Sequence, residues 1–239
     1  MLYNTNAVDF LKHQPSPFIH LTVTSPPYNL GINYASSSDS KEYEDYLEFS
    51  REWLDLLLKA THPTGRICLN VPLDTNKGGA KPVTADMTRV ALDAGWKYKT
   101  TIIWNEQNVS TRTAWGSFKS ASAPNIITPV ESVIVLYKDS WKRSAKGTSD
   151  ITSTDFVDWS LGLWTFSGEK KKNVGGHPAA FPEELPKRCI QFFSYVEDTI
   201  FDPFSGSGTT LSVAKKLGRA YVGCELSKEY YEFALKRIG

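Results

Sequence analysis

Two short runs of this chain hold residue types that could do chemistry together. The first is Thr24-Ser25-Pro26-Pro27-Tyr28. Each proline fixes its own φ, lacks an N–H, and holds the residue before it extended. The run is therefore stiff and offers carbonyl oxygens without competing donors. Such an acceptor-only wall suits an exocyclic amine on an aromatic ring, a poor nucleophile because its lone pair is delocalised. The Ser25 hydroxyl and the Pro26 carbonyl would grip the amine hydrogens and favour a pyramidal nitrogen. Pro27 would keep the wall rigid and Tyr28 would stack on the ring. Nitrogen would then attack in line with no covalent enzyme intermediate, gaining from orientation and from dipoles aimed at the developing charge. An amine inside a duplex must first leave the stack, at a cost of about a few kcal/mol that pocket stacking can offset. A bare Pro-Pro-Tyr is most often just a rigid turn, so weight comes from its position and its company.

The second run is Phe201-Asp202-Pro203-Phe204-Ser205-Gly206-Ser207-Gly208-Thr209-Thr210, followed by an apolar stripe of Leu211, Ala214 and Leu217. A turn of small residues between a strand and a helix lets a ligand approach the backbone closely. No Lys follows the glycines, so this is not a GxxxxGK[ST] phosphate loop, and no third glycine completes GxGxxG. A nucleoside without a pyrophosphate fits better. The apolar run at 220–224 ends at Glu225, placed to accept hydrogen bonds from two ribose hydroxyls.

Positioning these runs is the work of alternating elements. Residues 20–24, 66–71, 100–104, 132–137, 199–201 and 220–224 read as strands. Residues 42–60, 85–94 and 211–217 carry apolar residues near helical spacing. Strands separated by helices predict parallel pairing with right-handed crossovers, an α/β class with helices on both sheet faces. Both runs then sit at carboxyl ends of strands, where open α/β sheets bind ligands. Residues 139–176, rich in Ser, Thr, Lys and Gly with Trp141, Trp159 and Trp164 spaced through them, show neither period and read as an inserted loop-rich module outside the sheet. Residues 105–127 have the same character.

The 239 residues, 41% apolar, suit a single large domain. A net charge of +1 neither demands nor excludes a polyanionic partner. Cys68, Cys189 and Cys224 are odd in number and far apart, which suits buried thiols in a reducing cytosol, and no paired CxxC supports a zinc ribbon or a redox motif, so no metal site is expected. No charged-then-apolar leader and no apolar run of about 18 residues predict an intracellular protein off the membrane.

These features resemble the amino-methyltransferases of DNA, specifically their β group, in which the catalytic motif precedes the cofactor motif. Residues 24–28 resemble the family's (D/N/S)-P-P-(Y/F) motif and residues 201–210 its DPF-x-GSGTT cofactor loop. Gly176-His177-Pro178 with Phe181-Pro182-Glu183-Glu184-Leu185-Pro186 resembles the segment before that loop. Residues 222–225 with Tyr230, Ala234 and Arg237 resemble the segment after it. The resemblance implies a Rossmann-like methyltransferase fold, a mostly parallel seven-stranded sheet with one antiparallel strand, and S-adenosylmethionine beside the glycine turn. It also implies that Asp202, Pro203, Phe204, Gly206, Ser207, Gly208, Thr209 and Glu225 line the cofactor, with Phe181 near its methionine end. Asn6 falls where the family usually has an Asp contacting the cofactor. Residues 1–138 would form the catalytic part, 139–176 the target-recognition insert and 177–239 the cofactor part.

Serine at the head of the motif resembles enzymes acting on cytosine N4, and aspartate is commoner among those acting on adenine N6. Both bases place a ring nitrogen beside the amine, so a hydroxyl that accepts and donates serves either. DNA is the expected partner. Lys170, Lys171 and Lys172, with Lys142 and Arg143 and their neighbours Lys138 and Lys146, could neutralise phosphates, although a solvated surface run accounts for them equally. The three tryptophans could stack on DNA, but packing within the insert is the simpler reading. His177 has no catalytic task in such a transfer, and residues 36–40 suit a closing loop or a plain surface loop. The resemblance is compatible with a homodimer, a cognate restriction endonuclease and a prokaryotic, cytoplasmic, nucleoid-associated setting. Rivals are an RNA or protein amine methyltransferase, disfavoured by the motif order, and a DNA-binding module without catalysis. A zinc deaminase is disfavoured by its missing H-x-E and PCxxC signature.

Overall fold

The computed structural model describes residues 1–27, 42–75, 80–107, 116–126, 128–168 and 181–239, with the backbone of Asn33–Tyr34 and Ser37–Ser38. In chain order the elements are β1 (Leu2–Asn4), α1 (Ala7–Lys12), β2 (Ile19–Thr24), the paired β3 (Asn33–Tyr34) and β4 (Ser37–Ser38), and α2 (Tyr43–Ala60). They continue with β5 (Thr61–Pro72), α3 (Val83–Asp93), β6 (Lys97–Asn105), β7 (Val130–Tyr137), α4 (Ser153–Trp159) and β8 (Leu163–Thr165). Last come α5 (Glu184–Phe193), β9 (Thr199–Asp202), α6 (Thr209–Lys216), β10 (Ala220–Glu225) and α7 (Lys228–Ile238).

One eight-stranded sheet runs in the order β1-β10-β9-β2-β5-β7-β6-β8. β7 is antiparallel to both of its neighbours and every other pair is parallel. The six apolar runs account for the six central strands. Edge strands β1 and β8, three residues each, raise the total to eight against the seven expected. Side-chain alternation splits the core. Ile67, Leu69, Val71, Ile134, Leu136 and Phe201 face α1, α2 and α3, where Trp53, Leu54 and Leu57 pack. Leu21, Val23, Cys68, Val133, Val135 and Ile200 face the other way, toward α5 and α6. Helix α2 presents Tyr46, Leu47, Ser50, Trp53, Leu54 and Leu57 along one stripe, a spacing that only a helix can turn to one side. The three cysteines are buried free thiols. Among the described residues no helix is long and apolar enough to cross a membrane.

The expectation that residues 139–176 stay outside the sheet is corrected. Strand β8 pairs with β6 through Ile103↔Leu163, Trp104↔Trp164 and Asn105↔Thr165. What draws it in is aromatic burial, since Trp159 and Trp164 are both in the core and the Trp164 indole N–H donates to the Trp159 carbonyl at 3.0 Å. The tryptophans therefore pack onto the sheet rather than within a separate insert. Trp141 lies at the amino-terminal edge of the parallel strands, under the Arg66 guanidinium at 4.2 Å.

The segment after β7 is held by buried charge. Arg219, its side chain fully buried, makes a bidentate pair with Asp150 at 2.6 and 2.7 Å and donates to the carbonyls of Ser194 and Leu217. Burial works to raise the Asp150 carboxyl, and the Arg219 contacts outweigh it and hold the group below the usual range. Asp150 keeps 28% of its side chain in water, so losing Arg219 chiefly leaves the Ser194 and Leu217 carbonyls without this donor, at about 1–3 kcal/mol. Arg219→Met is expected to lower the unfolding free energy by about that much, read by urea denaturation, and an unchanged or raised stability would contradict the assignment.

Candidate functional site

The sheet order places the two sequence runs side by side. From β2 the chain passes through α2 to β5, and from β9 through α6 to β10, so the connections leave in opposite directions and over opposite faces. Open α/β sheets form a crevice at the carboxyl ends of two such strands. β2 and β9 are direct neighbours, with Leu21 opposite Ile200 and Thr22 opposite Phe201. Ser25, Pro26 and Pro27 leave β2 there, with Pro26 buried and Ser25 and Pro27 half-buried. Tyr28 lies outside the described residues, as do Lys170, Lys171, Lys172 and the Gly176-His177-Pro178 segment. Of residues 36–40 only the Ser37–Ser38 backbone, paired with Asn33–Tyr34, is described.

A single buried carboxyl joins the two runs. Asp202, 2% exposed, accepts from the Thr24 hydroxyl at 2.7 Å across a separation of 178 residues. The same Oδ1 accepts from the Phe204 backbone N–H at 3.1 Å, and the Thr210 side chain adds a further hydrogen bond. Burial dominates the titration of this group. It pushes the carboxyl up to about 6, against the pull of Thr24, Thr210 and Phe204 N–H, with Glu225 adding like-charge repulsion. Asp202 thus has its acceptors filled by protein donors and shapes the crevice from behind.

The turn that follows is shaped by left-handed backbone and close packing. Gly206 and Gly208 have φ of 50° and 76°. A Cβ on Gly208 would lie 2.8 Å from the Ala234 Cβ, and one on Gly223 would lie 2.3 Å from the Ser205 Oγ. Glu225 closes the turn, since its Oε2 accepts from Gly206 N–H and its Oε1 from Ser227 N–H, both at 2.8 Å. Burial raises this carboxyl, and the backbone donors oppose the rise. Leu226 N–H is a third backbone donor against about four acceptor positions on a carboxylate, so lone-pair capacity remains on Glu225 for ribose hydroxyls while the glycines let the nucleoside approach the backbone. The donor set therefore fits S-adenosylmethionine.

Other residues singled out in the sequence are placed differently. Asn6 caps α1, its Oδ1 accepting from Val8 N–H at 2.8 Å. Ser207 and Thr209 are buried and turned to Arg237, which donates to Ser207 Oγ at 3.3 Å and to Thr209 Oγ1 at 2.9 Å. Pro203 is buried, and Phe204 packs edge-on to Trp53 at 5.3 Å. Phe181 is half-buried against the α5 and α6 side of the core. Asn4 was not singled out, yet its amide donates to the carbonyls of Glu225 and Leu226 at 2.8 and 3.1 Å. Thr24 and Thr210 also went without a role. The available signal was a threonine at a strand's end and another in the first helical turn after an Asp.

Lys142 and Arg143 follow the antiparallel β7, so they emerge at the amino-terminal edge of the parallel strands. There Lys138 and Asp139 bond to the carbonyls of Gly65 and Pro63. Arg143 is a bidentate partner of Asp198 and covers the Tyr195 ring at 4.6 Å. Both side chains stand across the sheet from Ser25, and Arg143 is occupied internally.

Residues 19–236 match the N6/N4 methyltransferase family model, described as DNA methylase. The chain is 58% identical over 167 residues to the type II methyltransferase M.MjaVI of Methanocaldococcus jannaschii, covering 70% of this chain and 86% of that one. It is 30% identical over 236 residues to M.HpaI of Haemophilus parainfluenzae, covering 98% and 72%. TTHA0409 of Thermus thermophilus, complexed with S-adenosyl-L-methionine, is similar in structure with a TM-score of 0.79 at 27% identity, covering 99% and 92% of the two chains. The cytosine-N4-specific PvuII DNA methyltransferase shares the fold with a TM-score of 0.75 at 22% identity, covering 100% and 86%.

The buried carboxyl leaves a signature in stability. Asp202 titrates at about 6 in the fold against an ordinary 3.8, so between these values the folded chain holds the extra proton. Stability falls as pH rises through that window, and above it the cost of an ionised buried carboxylate is fully present. Asp202→Asn is expected to be the more stable protein above pH about 6, by about 2–3 kcal/mol, with the gap closing toward pH about 4. Denaturation curves across that range test this, and parallel profiles for the two proteins would contradict it.

Proposed function

The chain belongs to the DNA methylase family, and from that premise we propose that it is a site-specific DNA methyltransferase acting on the N4 amine of a cytosine drawn out of the duplex. The observation that carries the reading is the Thr24–Asp202 hydrogen bond at 2.7 Å, which sets an amine-gripping wall and a nucleoside-sized glycine turn against one crevice. S-adenosylmethionine would supply a methyl carbon on a positively charged sulfur; the amine nitrogen would bond to that carbon as the carbon–sulfur electron pair returns to sulfur, and the nitrogen would then release one amine proton to water. The order of the two motifs supports membership of the family's β group.

The chain's own residues bind, orient and shield. Glu225 takes the ribose hydroxyls with the lone pairs left by Gly206 and Ser227. Gly206 and Gly208 let the nucleoside reach the backbone, and Pro203 and Phe204 wall the turn against Trp53. Phe181 covers the far end of the cofactor. Asp202 sets the Phe204 N–H and the end of β2, and Asn6 contributes through the entry of α1. On the base side the Pro26 carbonyl and the Ser25 hydroxyl hold the amine, Pro27 keeps the wall from flexing, and Tyr28 stacks on the extracted ring. The choice of cytosine rests on the resemblance of the serine-headed motif to enzymes acting on cytosine N4; the Ser25 hydroxyl can donate to the ring nitrogen beside the amine while the Pro26 carbonyl accepts from the amine.

Incubation with labelled S-adenosylmethionine and unmethylated DNA, digestion to nucleosides and mass spectrometry should yield labelled N4-methylcytosine. Labelled N6-methyladenine would keep the mechanism and overturn the choice of base, and label on RNA or protein alone would overturn the DNA reading. Tyr28→Ala should cut turnover by about 100-fold or more while cofactor affinity stays unchanged, in line with the loss of base stacking and orientation. Undiminished turnover would remove Tyr28 from the base side.

A further inference from the structure

The cofactor turn is held from behind by a polar cluster that the methyl-transfer reading leaves without a task. Arg237, in the last turn of α7, donates from Nη1 to Ser207 Oγ at 3.3 Å and to Thr209 Oγ1 at 2.9 Å. From Nη2 it donates to Glu183 Oε1 at 3.3 Å. Glu183 also accepts from Lys216 of α6, at 2.8 Å on each oxygen. One guanidinium therefore spans the glycine turn, the segment that enters α5 two residues after Phe181, and α7. Ala234, three residues earlier in α7, is what a Cβ on Gly208 would strike. Helix α7 thus backs the turn with a small residue and then fastens it with a fork.

This arrangement answers a physical difficulty. A turn with two left-handed glycines loses more backbone freedom on ordering than any other sequence would, and a ligand that had to order it would bind more weakly for doing so. The Arg237 side chain is 17% exposed while Ser207 and Thr209 are buried, so these hydrogen bonds are largely shielded from water. Burial works to raise the Glu183 carboxyl, and Lys216 and Arg237 outweigh it, so the acceptor stays ionised as the fork requires. A guanidinium can serve two hydroxyls and a carboxylate at once, whereas an ammonium is a single point of charge.

We propose that Arg237 is a positioning residue for the methyl donor: it orders the Ser207-Gly208-Thr209 turn before binding and ties it to the Phe181–Glu183 segment, without touching cofactor or base. The proposal rests on the cofactor-site reading given above. Its consequence is a separation of effects, because a turn ordered only on binding lowers affinity and leaves the bound geometry intact.

The test uses the full chain. Titration calorimetry with S-adenosylmethionine on wild type, Arg237→Lys and Arg237→Met is paired with methyl-transfer kinetics over a range of cofactor concentrations and with thermal melts. Arg237→Met should weaken cofactor binding by about 10- to 100-fold, the size of losing a charge-assisted hydrogen bond, with KM for cofactor rising in step and kcat at saturation within about twofold of wild type. Arg237→Lys should fall between the two. A folded Arg237→Met that binds as tightly as wild type, or that loses kcat at unchanged KM, overturns the proposal. Should Arg237→Met fail to fold, Thr209→Val removes the 2.9 Å bond from the turn's side and must itself weaken binding several-fold, and an unchanged affinity there overturns the proposal equally. Wild type that does not bind S-adenosylmethionine would sink the cofactor-site reading and this proposal with it. Wild-type binding with an indifferent Arg237→Met would sink this proposal alone.

Discussion

A carboxyl group with 2% of its surface exposed, taking hydrogen bonds from Thr24, Phe204 and Thr210, is the constraint on which the site is built. Three donors converge on a group that burial would otherwise neutralise. Each donor lies on a different piece of the crevice, namely the end of β2, the turn after β9 and the first turn of α6. Fixing the carboxyl fixes all three. Because β2 and β9 pair directly, residues 178 positions apart are held at the distance of one hydrogen bond. The Ser25-Pro26-Pro27 run cannot shift relative to the glycine turn without breaking a buried contact, which is costly in a low-dielectric interior.

The rest of the crevice follows the same economy, with polar side chains committed to shaping the turn and few left over for ligand. Ser207 and Thr209 serve Arg237, Asn6 serves α1, and Asn4 serves the backbone beyond β10. Among the described residues of the crevice, Glu225 is a carboxylate that supports the turn and keeps acceptor capacity in reserve. The strain of keeping ionised groups buried at the ends of β9 and β10 is one that function retains and a stability-optimised sequence would remove.

Much of this was legible in the sequence. The six central strands and the long helix announce themselves by apolar runs and by helical spacing, because each has one face that must be buried. The strand-turn-helix of Phe201 through Leu217 was legible for the same reason, with small residues marking where the backbone bends. The edge strands β1 and β8 were not, since three residues carry no period and the pairing of β8 is decided by Trp159 and Trp164 seeking cover. Nor were the partners of Asp202 and of Arg237. A hydroxyl at a strand end looks like any other until the sheet order places it against an acid. The place of Lys142 and Arg143 was not legible either, because charge content says nothing of which edge of a sheet a loop leaves by, and the antiparallel β7 delivers them to the edge away from Ser25.

The Thr24–Asp202 contact ties the end of β2 to the turn after β9. A double-mutant cycle on methyl transfer, with Thr24→Val, Asp202→Ala and the pair compared by kcat/KM, measures that coupling directly. Strong non-additivity is expected, with an interaction energy of about 1.5–3 kcal/mol, because each single change already breaks the contact that the other would break. Additive losses, within about 0.5 kcal/mol, would show that the two motifs act independently and that the shared carboxyl does not join them.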